Sequence, residues 1–140
     1  MRGVTNLKNG ECGSAILEFA LLLPILASML VGILSYGLYF GAAHSVQQLA
    51  ADAARRSVAG SNAAERSSIV HAYVDANATG YFLIRADRLR EVSATAIGDG
   101  RTRIRIAFDA TWLPIFSFAA MVPLPPGTIT RDCTILDGEA

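Results

Sequence analysis

Between Glu18 and His44 the chain carries no charged side chain. The core of that run, Phe19 to Phe40, holds roughly 22 residues, which at ~1.5 Å per residue covers the ~30 Å hydrocarbon layer of a bilayer. Its only polar side-chain atoms are the hydroxyls of Ser28, Ser35, Tyr36 and Tyr39. A chain of 140 residues leaves too little protein to bury such a helix in a soluble core. The other apolar alternative is a cleaved secretory signal, whose core is only about 7–15 residues long. This run is longer and has Pro24 inside it, although a small-residue site, Gly41-Ala42-Ala43, follows. The run predicts a single transmembrane helix over residues 14–43, with residues 44–140 on one side of the membrane.

Charge sets the orientation. Arg2 and Lys8, with the terminal amine, outweigh Glu11 on the short N-terminal arm, whereas Arg55 and Arg56 lie well beyond the far end of the run. The positive bias places the N-terminus in the cytoplasm. Residues 44–140 are then periplasmic or extracytoplasmic, and Tyr36, Tyr39 and Phe40 fall where aromatic rings favour the headgroup level. The formal net charge of +0 provides no basic footprint for nucleic acid.

The junction ahead of the run reads Gly10-Glu-Cys-Gly13-Ser14-Ala-Ile-Leu-Glu18-Phe19. A carboxylate this close to hydrocarbon is costly, on the order of 2.5–3.5 kcal/mol at mid-bilayer and less near an interface. Two offsets are open. The dipole of the helix N-terminus favours an acid in the first turns, and the carboxylate can also reach toward the headgroups. Alternatively, a cut after Gly13 makes Ser14 the first residue, with a free amine, and Glu18 the fifth. In a bundle of staggered helices that carboxylate meets a neighbour's ammonium, which gives register as well as attraction.

Gly13-Ser-Ala-Ile-Leu-Glu18-Phe19-Ala-Leu-Leu-Leu-Pro24, with Gly32, Tyr36-Gly37 and Leu49-Ala-Ala-Asp-Ala-Ala-Arg55, resembles the TadE-like family. These are minor pilins, or pseudopilins, of the tight-adherence (Flp, type IVc) pilus system. The resemblance covers about residues 12–56. It implies cleavage by a prepilin peptidase between Gly13 and Ser14, so that residues 1–13 are a cytoplasmic leader. It implies that Glu18 and Phe19 matter for processing or assembly. The implied partners are the peptidase, other minor pilins and the inner-membrane assembly platform, and the implied location is the bacterial inner membrane. The alternative is an uncleaved single-span protein whose periplasmic domain binds an envelope or secretion-system partner.

Two small-xxx-small pairs, Ser28/Gly32 and Gly37/Gly41, let helix backbones approach closely in lipid, although glycine is also simply common in such helices. Pro24 is expected to kink or loosen the helix.

The expected fold class is α+β. The long helix continues outward to about Ala59 with an apolar stripe of Val46, Leu49, Ala53 and Val58, and Gly60 stops it. Asp52 can pair with Arg55 or Arg56. A second short helix opens at Ser61-Asn62 with Glu65 in its first turn, carries Ile69, Val70, Tyr73 and Val74, and ends near Asn77–Gly80. The period then changes to two. Leu89 to Ile97, the Gly98-Asp99-Gly100 turn and Arg101 to Trp112 read as a hairpin, and Thr128 to Leu136 as a third strand of a small antiparallel sheet. Ile104, Ile106, Phe108, Ala110 and Trp112 share one strand face, opposite Arg103, Arg105, Asp109 and Thr111. The prolines from Pro114 to Pro126 argue against regular structure between Leu113 and Gly127. The apolar loop 113–122 suits core packing, the membrane surface or a partner subunit.

No enzyme is expected. His44 and His71 have no metal-ligand spacing, and neither a phosphate loop nor a nucleophile elbow is present. The expectation is therefore no catalytic residue, metal, cofactor or small-molecule substrate. Cys12 and Cys133 fall on opposite sides of the membrane and cannot pair. Cys133 is left as a lone thiol, either buried in the third strand or in an intermolecular disulfide.

Overall fold

The computed structural model describes residues 9–118 and 123–136, with side chains described over 13–117 and 123–136. Helix α1 runs Asn9–Ser57 and α2 Ala63–Asn77. Strands β1 (Leu89–Gly98), β2 (Arg101–Asp109) and β3 (Thr128–Leu136) follow. Short 3₁₀ turns occupy Ala78–Gly80, Ala86–Arg88 and Pro114–Phe118. The fold is α+β, a long apolar N-terminal helix and a second helix followed by an antiparallel sheet in the order β1-β2-β3. The chain divides into two compact units, residues up to Leu34 and residues from Ser35 onward.

In the first unit α1 is bare. No side chain from Gly13 to Leu34 is buried, and Ile16, Leu21 and Ile33 are 65–70% exposed. One window of the helix over Gly13–Ser57 is apolar enough to cross a membrane, with none of it buried. Pro24 sits inside the helix, where its missing N–H leaves the Ala20 carbonyl without a helical partner. Ser28 Oγ donates to the Ile25 carbonyl at 2.8 Å, so the hydroxyl is satisfied within the helix.

In the second unit the same helix changes character. Ala42, Ala43, Val46, Leu49, Ala50, Ala53 and Ala54 are buried at helical spacing, and Ser57 completes the stripe. Most of these residues are alanine, so the helix axis can lie close to its neighbours. Val58 does not join the stripe. It is 49% exposed, because the face recurs at 53 and 57, while residue 58 is rotated ~100° away. Ser57 is tolerated at 0% exposure because its Oγ donates to the Ala54 carbonyl at 2.7 Å.

Helix α2 starts as its sequence demands. Asn62 Oδ1 accepts the Glu65 N–H at 2.9 Å, and Glu65 Oε2 accepts the Ser61 N–H at 2.8 Å. The two bonds satisfy donors that a helix start otherwise leaves orphaned. The Ser61 N–H and hydroxyl hold the Glu65 carboxyl below its usual range. Val70 and Val74 are fully buried, and Tyr73 packs partly against the core.

The hairpin turn is Asp99-Gly100, both with positive φ (51° and 62°), the combination of a type I′ turn that matches strand twist. Strand β2 is central. Ile104, Ile106 and Phe108 face the helices, and Phe108 pairs with Leu89 on one side and Ile129 on the other. The opposite face is solvated. There Arg105 reaches Asp132 across the sheet at 2.9 and 3.1 Å, which holds the Asp132 carboxyl below its usual range.

The structure corrects the expected end of β2. The strand stops at Asp109, short of Trp112. Asp109 Oδ1 accepts both the Thr111 N–H (3.0 Å) and the Thr111 hydroxyl (2.6 Å), which bends the chain out of the ladder. Asp109 keeps the strand face of Arg103 and Arg105 but is not solvated there: it is 7% exposed, pairs with Arg90 and lies 3.6 Å from Arg88. The hydrogen bonds from Thr111 and Arg90 hold its carboxyl far below the usual range. Between Leu113 and Gly127 the prolines do not abolish regular structure: Pro114 opens a 3₁₀ turn, a position where its missing N–H costs nothing. Leu113 and Ile115 from this segment enter the core at 1% exposure. Residues 119–122 of the apolar loop lie outside the described residues.

Candidate assembly helix and the cluster that holds it

All residues singled out for processing and assembly lie on α1. Gly13 and Ser14 are already helical, in the second turn after Asn9. The Cys12 thiol and the leader up to Lys8 lie outside the described residues. Glu18 and Phe19 are exposed, Phe19 at 60%, and among the described residues no hydrogen bond or ion pair reaches the Glu18 carboxylate. Because the helix begins at Asn9, Glu18 is more than two turns inside the intact chain, whereas the dipole's effect fades within the first turn.

The four helix-packing candidates divide. A Cβ added at Gly32 or Gly37 meets nothing within 4 Å. Ser28 uses its hydroxyl on its own helix. At Gly41 the added Cβ comes within 3.1 Å of the Phe82 ring, so the segment after α2 packs on this glycine.

The second unit grips its part of α1 through polar contacts that span long stretches of sequence. The Tyr81 hydroxyl donates to Asp52 Oδ2 at 2.7 Å, and the Tyr73 hydroxyl lies 2.9 Å from that of Tyr81. With the Tyr81 proton directed at the carboxylate, Tyr73 donates to Tyr81. Arg55 Nη1 holds the other Asp52 oxygen at 2.9 Å, as its spacing predicts. Arg56 instead lies over the Tyr73 ring, 5.7 Å from its centroid. Burial, then the bonds to Tyr73 and Asp52, raise the Tyr81 hydroxyl above its ordinary value. One α1 carboxylate thus ties together α1, α2 and the turn that follows it.

Tyr36 and Tyr39 make a second grip. Their hydroxyls donate to the carbonyls of Pro123 and Pro126, the latter at 3.1 Å. These links were not legible in the sequence. Asp52–Tyr81 closes 29 positions and the tyrosine–proline bonds close 87, and neither spacing carries a local signal. A tyrosine directly after a glycine-terminated helix, and tyrosines one turn apart opposite a proline-rich stretch, were the only hints.

Among the described residues no group of three metal-ligating side chains gathers. Cys133 is a half-buried free thiol on the core-facing side of β3, opposite Ile104. A family model described as TadE-like protein matches residues 13–55. It begins at Gly13 and ends at Arg55, so it takes in the bare apolar stretch and the alanine-rich face that packs in the core. No curated protein and no solved structure matches the chain.

Proposed function

From the TadE-like match over residues 13–55, we propose that this chain is a TadE-like minor pilin or pseudopilin, a single-pass component of tight-adherence (Flp, type IVc) pilus assembly. The match and the apolar helix together support a membrane protein related to the Tad pilus and, with it, a structural rather than catalytic part. The finer reading is that residues 1–13 form a cytoplasmic leader, 14–43 cross the inner membrane and 44–140 form the periplasmic domain. A prepilin peptidase cuts between Gly13 and Ser14.

The observation that carries this reading is the position of Glu18. It is an exposed carboxylate on a bare apolar helix, too far from Asn9 for the dipole to offset it. Cleavage changes that balance. With Ser14 as the first residue, Glu18 stands one turn from a new helix start and its ammonium, and a staggered neighbour supplies a second partner. Because Gly13 and Ser14 are helical, the first turns must unwind to enter a protease. Gly10 and Gly13 lower that cost, by about 1 kcal/mol each relative to alanine.

Mass spectrometry of the membrane-bound form gives the test, with Ser14 expected as the mature N-terminus. Glu18→Ala is expected to abolish assembly or processing while the protein stays in the membrane. An intact N-terminus together with unchanged assembly of Glu18→Ala overturns the pilin reading. That outcome favours an uncleaved anchor whose outer domain binds an envelope partner.

A further inference from the structure

We propose that the second unit carries an apolar collar, built from Phe40, Phe82 and Leu124, that rests in the headgroup layer of a lipid bilayer and sets how far the helix sinks. Phe40 and Phe82 are 65% and 63% exposed, the most exposed aromatic side chains of this unit among the described residues, and Leu124 is 39% exposed. They come from separate parts of the chain but are brought to one level of α1. Phe82 lies on Gly41, the residue after Phe40. Leu124 lies in the segment whose Pro123 and Pro126 carbonyls are held by Tyr36 and Tyr39. All the α1 positions involved, 36 to 41, follow within two turns of Leu34, where the bare stretch ends.

The length of α1 says what covers this collar. Gly13 to Leu34 is about 22 residues, or ~33 Å, enough for the ~30 Å hydrocarbon layer alone. Residues 14–43 reach about 45 Å, the thickness of a bilayer with its headgroups. With the ~30 Å hydrocarbon layer centred on that span, about five residues at each end, 39–43 here, fall in the interfacial layer, where aromatic rings are favoured and free tyrosine hydroxyls would ordinarily sit. Here those hydroxyls are spent on proline carbonyls, so the rings left to meet lipid are the phenylalanines. From Phe19 to Ala51 α1 has no aspartate, glutamate, lysine or arginine, so no formal charge on the helix opposes this depth.

The inference rests on the membrane-anchor part of the proposed function and not on cleavage or pilus assembly. The full chain is reconstituted at high lipid excess in phosphatidylcholine–phosphatidylglycerol vesicles, in a Trp112→Phe background. Single tryptophans are placed as Phe82→Trp, Leu124→Trp and, as a control, Leu136→Trp, which is 73% exposed at the hairpin end of the sheet. Lipids brominated near the headgroup are expected to quench Phe82→Trp and Leu124→Trp strongly and to leave Leu136→Trp bright. Emission of the first two is expected to shift to the blue whatever the protein-to-lipid ratio. Unquenched emission at the wavelength of exposed tryptophan overturns the collar, as does a blue shift that appears only at high protein density, which marks a second copy as the occupant. Recovery of the chain in the aqueous fraction overturns the anchor itself.

Discussion

Asp52 and Tyr81 lend themselves to a double-mutant cycle. Asp52→Ala removes a carboxylate that accepts the Tyr81 hydroxyl at 2.7 Å and Arg55 at 2.9 Å. A hydrogen bond to a charged group contributes about 1.5–3 kcal/mol. The Asp52 side chain is 36% exposed, which argues for the lower half of that range. Arg55 is 78% exposed, so its ion pair adds at most about 0.5 kcal/mol. The sum is about 2 kcal/mol. For a folded unit of about 100 residues this lowers Tm by about 8 °C. Tyr81→Phe loses the same bond but leaves a carboxylate that water can reach, and costs about 1 kcal/mol. The two changes together are expected to cost about 1 kcal/mol less than their sum, since one bond is lost only once. The assay is near-UV circular dichroism of the full chain in detergent micelles. Far-UV signal is unsuitable, because the bare helix stays helical in the micelle after the second unit unfolds. The cycle carries a pH signature. Tyr81 is raised in the folded state, so its contribution is present below about pH 10, the unfolded value, and is lost as pH climbs through the higher folded value. Tyr81→Phe is expected to flatten that alkaline decline. Additivity of the two substitutions within about 0.3 kcal/mol refutes the cluster as a single unit.

Two further outcomes follow from the second unit. Asp109 is depressed by Thr111 and Arg90, so its stabilisation is present above about pH 4, the unfolded value, and is lost as pH falls toward the lower folded one. Asp109→Asn is expected to shrink the loss of Tm between pH 5 and pH 3, both taken as roughly spanning that titration, and an unchanged acid limb counts against the assignment. Gly60→Ala places a Cβ 2.8 Å from the backbone nitrogen of Arg66, so α2 must shift away from the end of α1. It is expected to cost about 1–3 kcal/mol, read by the same near-UV melts, with a neutral result showing that the loop absorbs the methyl freely.

Much of this fold was legible because its signals are local. The charge-free run from Phe19 to Ala43 called for a long apolar helix of membrane-spanning length whatever the rest of the chain did. Asn62 and Glu65 announced the start of α2, Asp99-Gly100 the hairpin, and the alternation that begins at Arg101 the second strand. Each depends on residues within a turn or two of one another, where backbone geometry and side-chain chemistry are nearly independent of context. Val58 was misplaced, and the strand was carried past Asp109 to Trp112, by the same reasoning taken one step too far. Periodicity gives a face, but helix end and strand end are decided by what satisfies the last polar groups, here Ser57 on Ala54 and Asp109 on Thr111.

The sequence by itself determined that an apolar helix of membrane length stands ahead of a small α+β unit, and its junction motif pointed to the family that matches residues 13–55. Only the tertiary structure decided how that unit holds its own part of α1, from Ser35 onward: Asp52 under Tyr81, Tyr36 and Tyr39 on the proline carbonyls, and Phe82 on Gly41. These contacts join residues 29 to 87 positions apart or fill a glycine's missing side chain. No local pattern encodes them, because they exist only once burial of the alanine-rich face has brought distant backbone together.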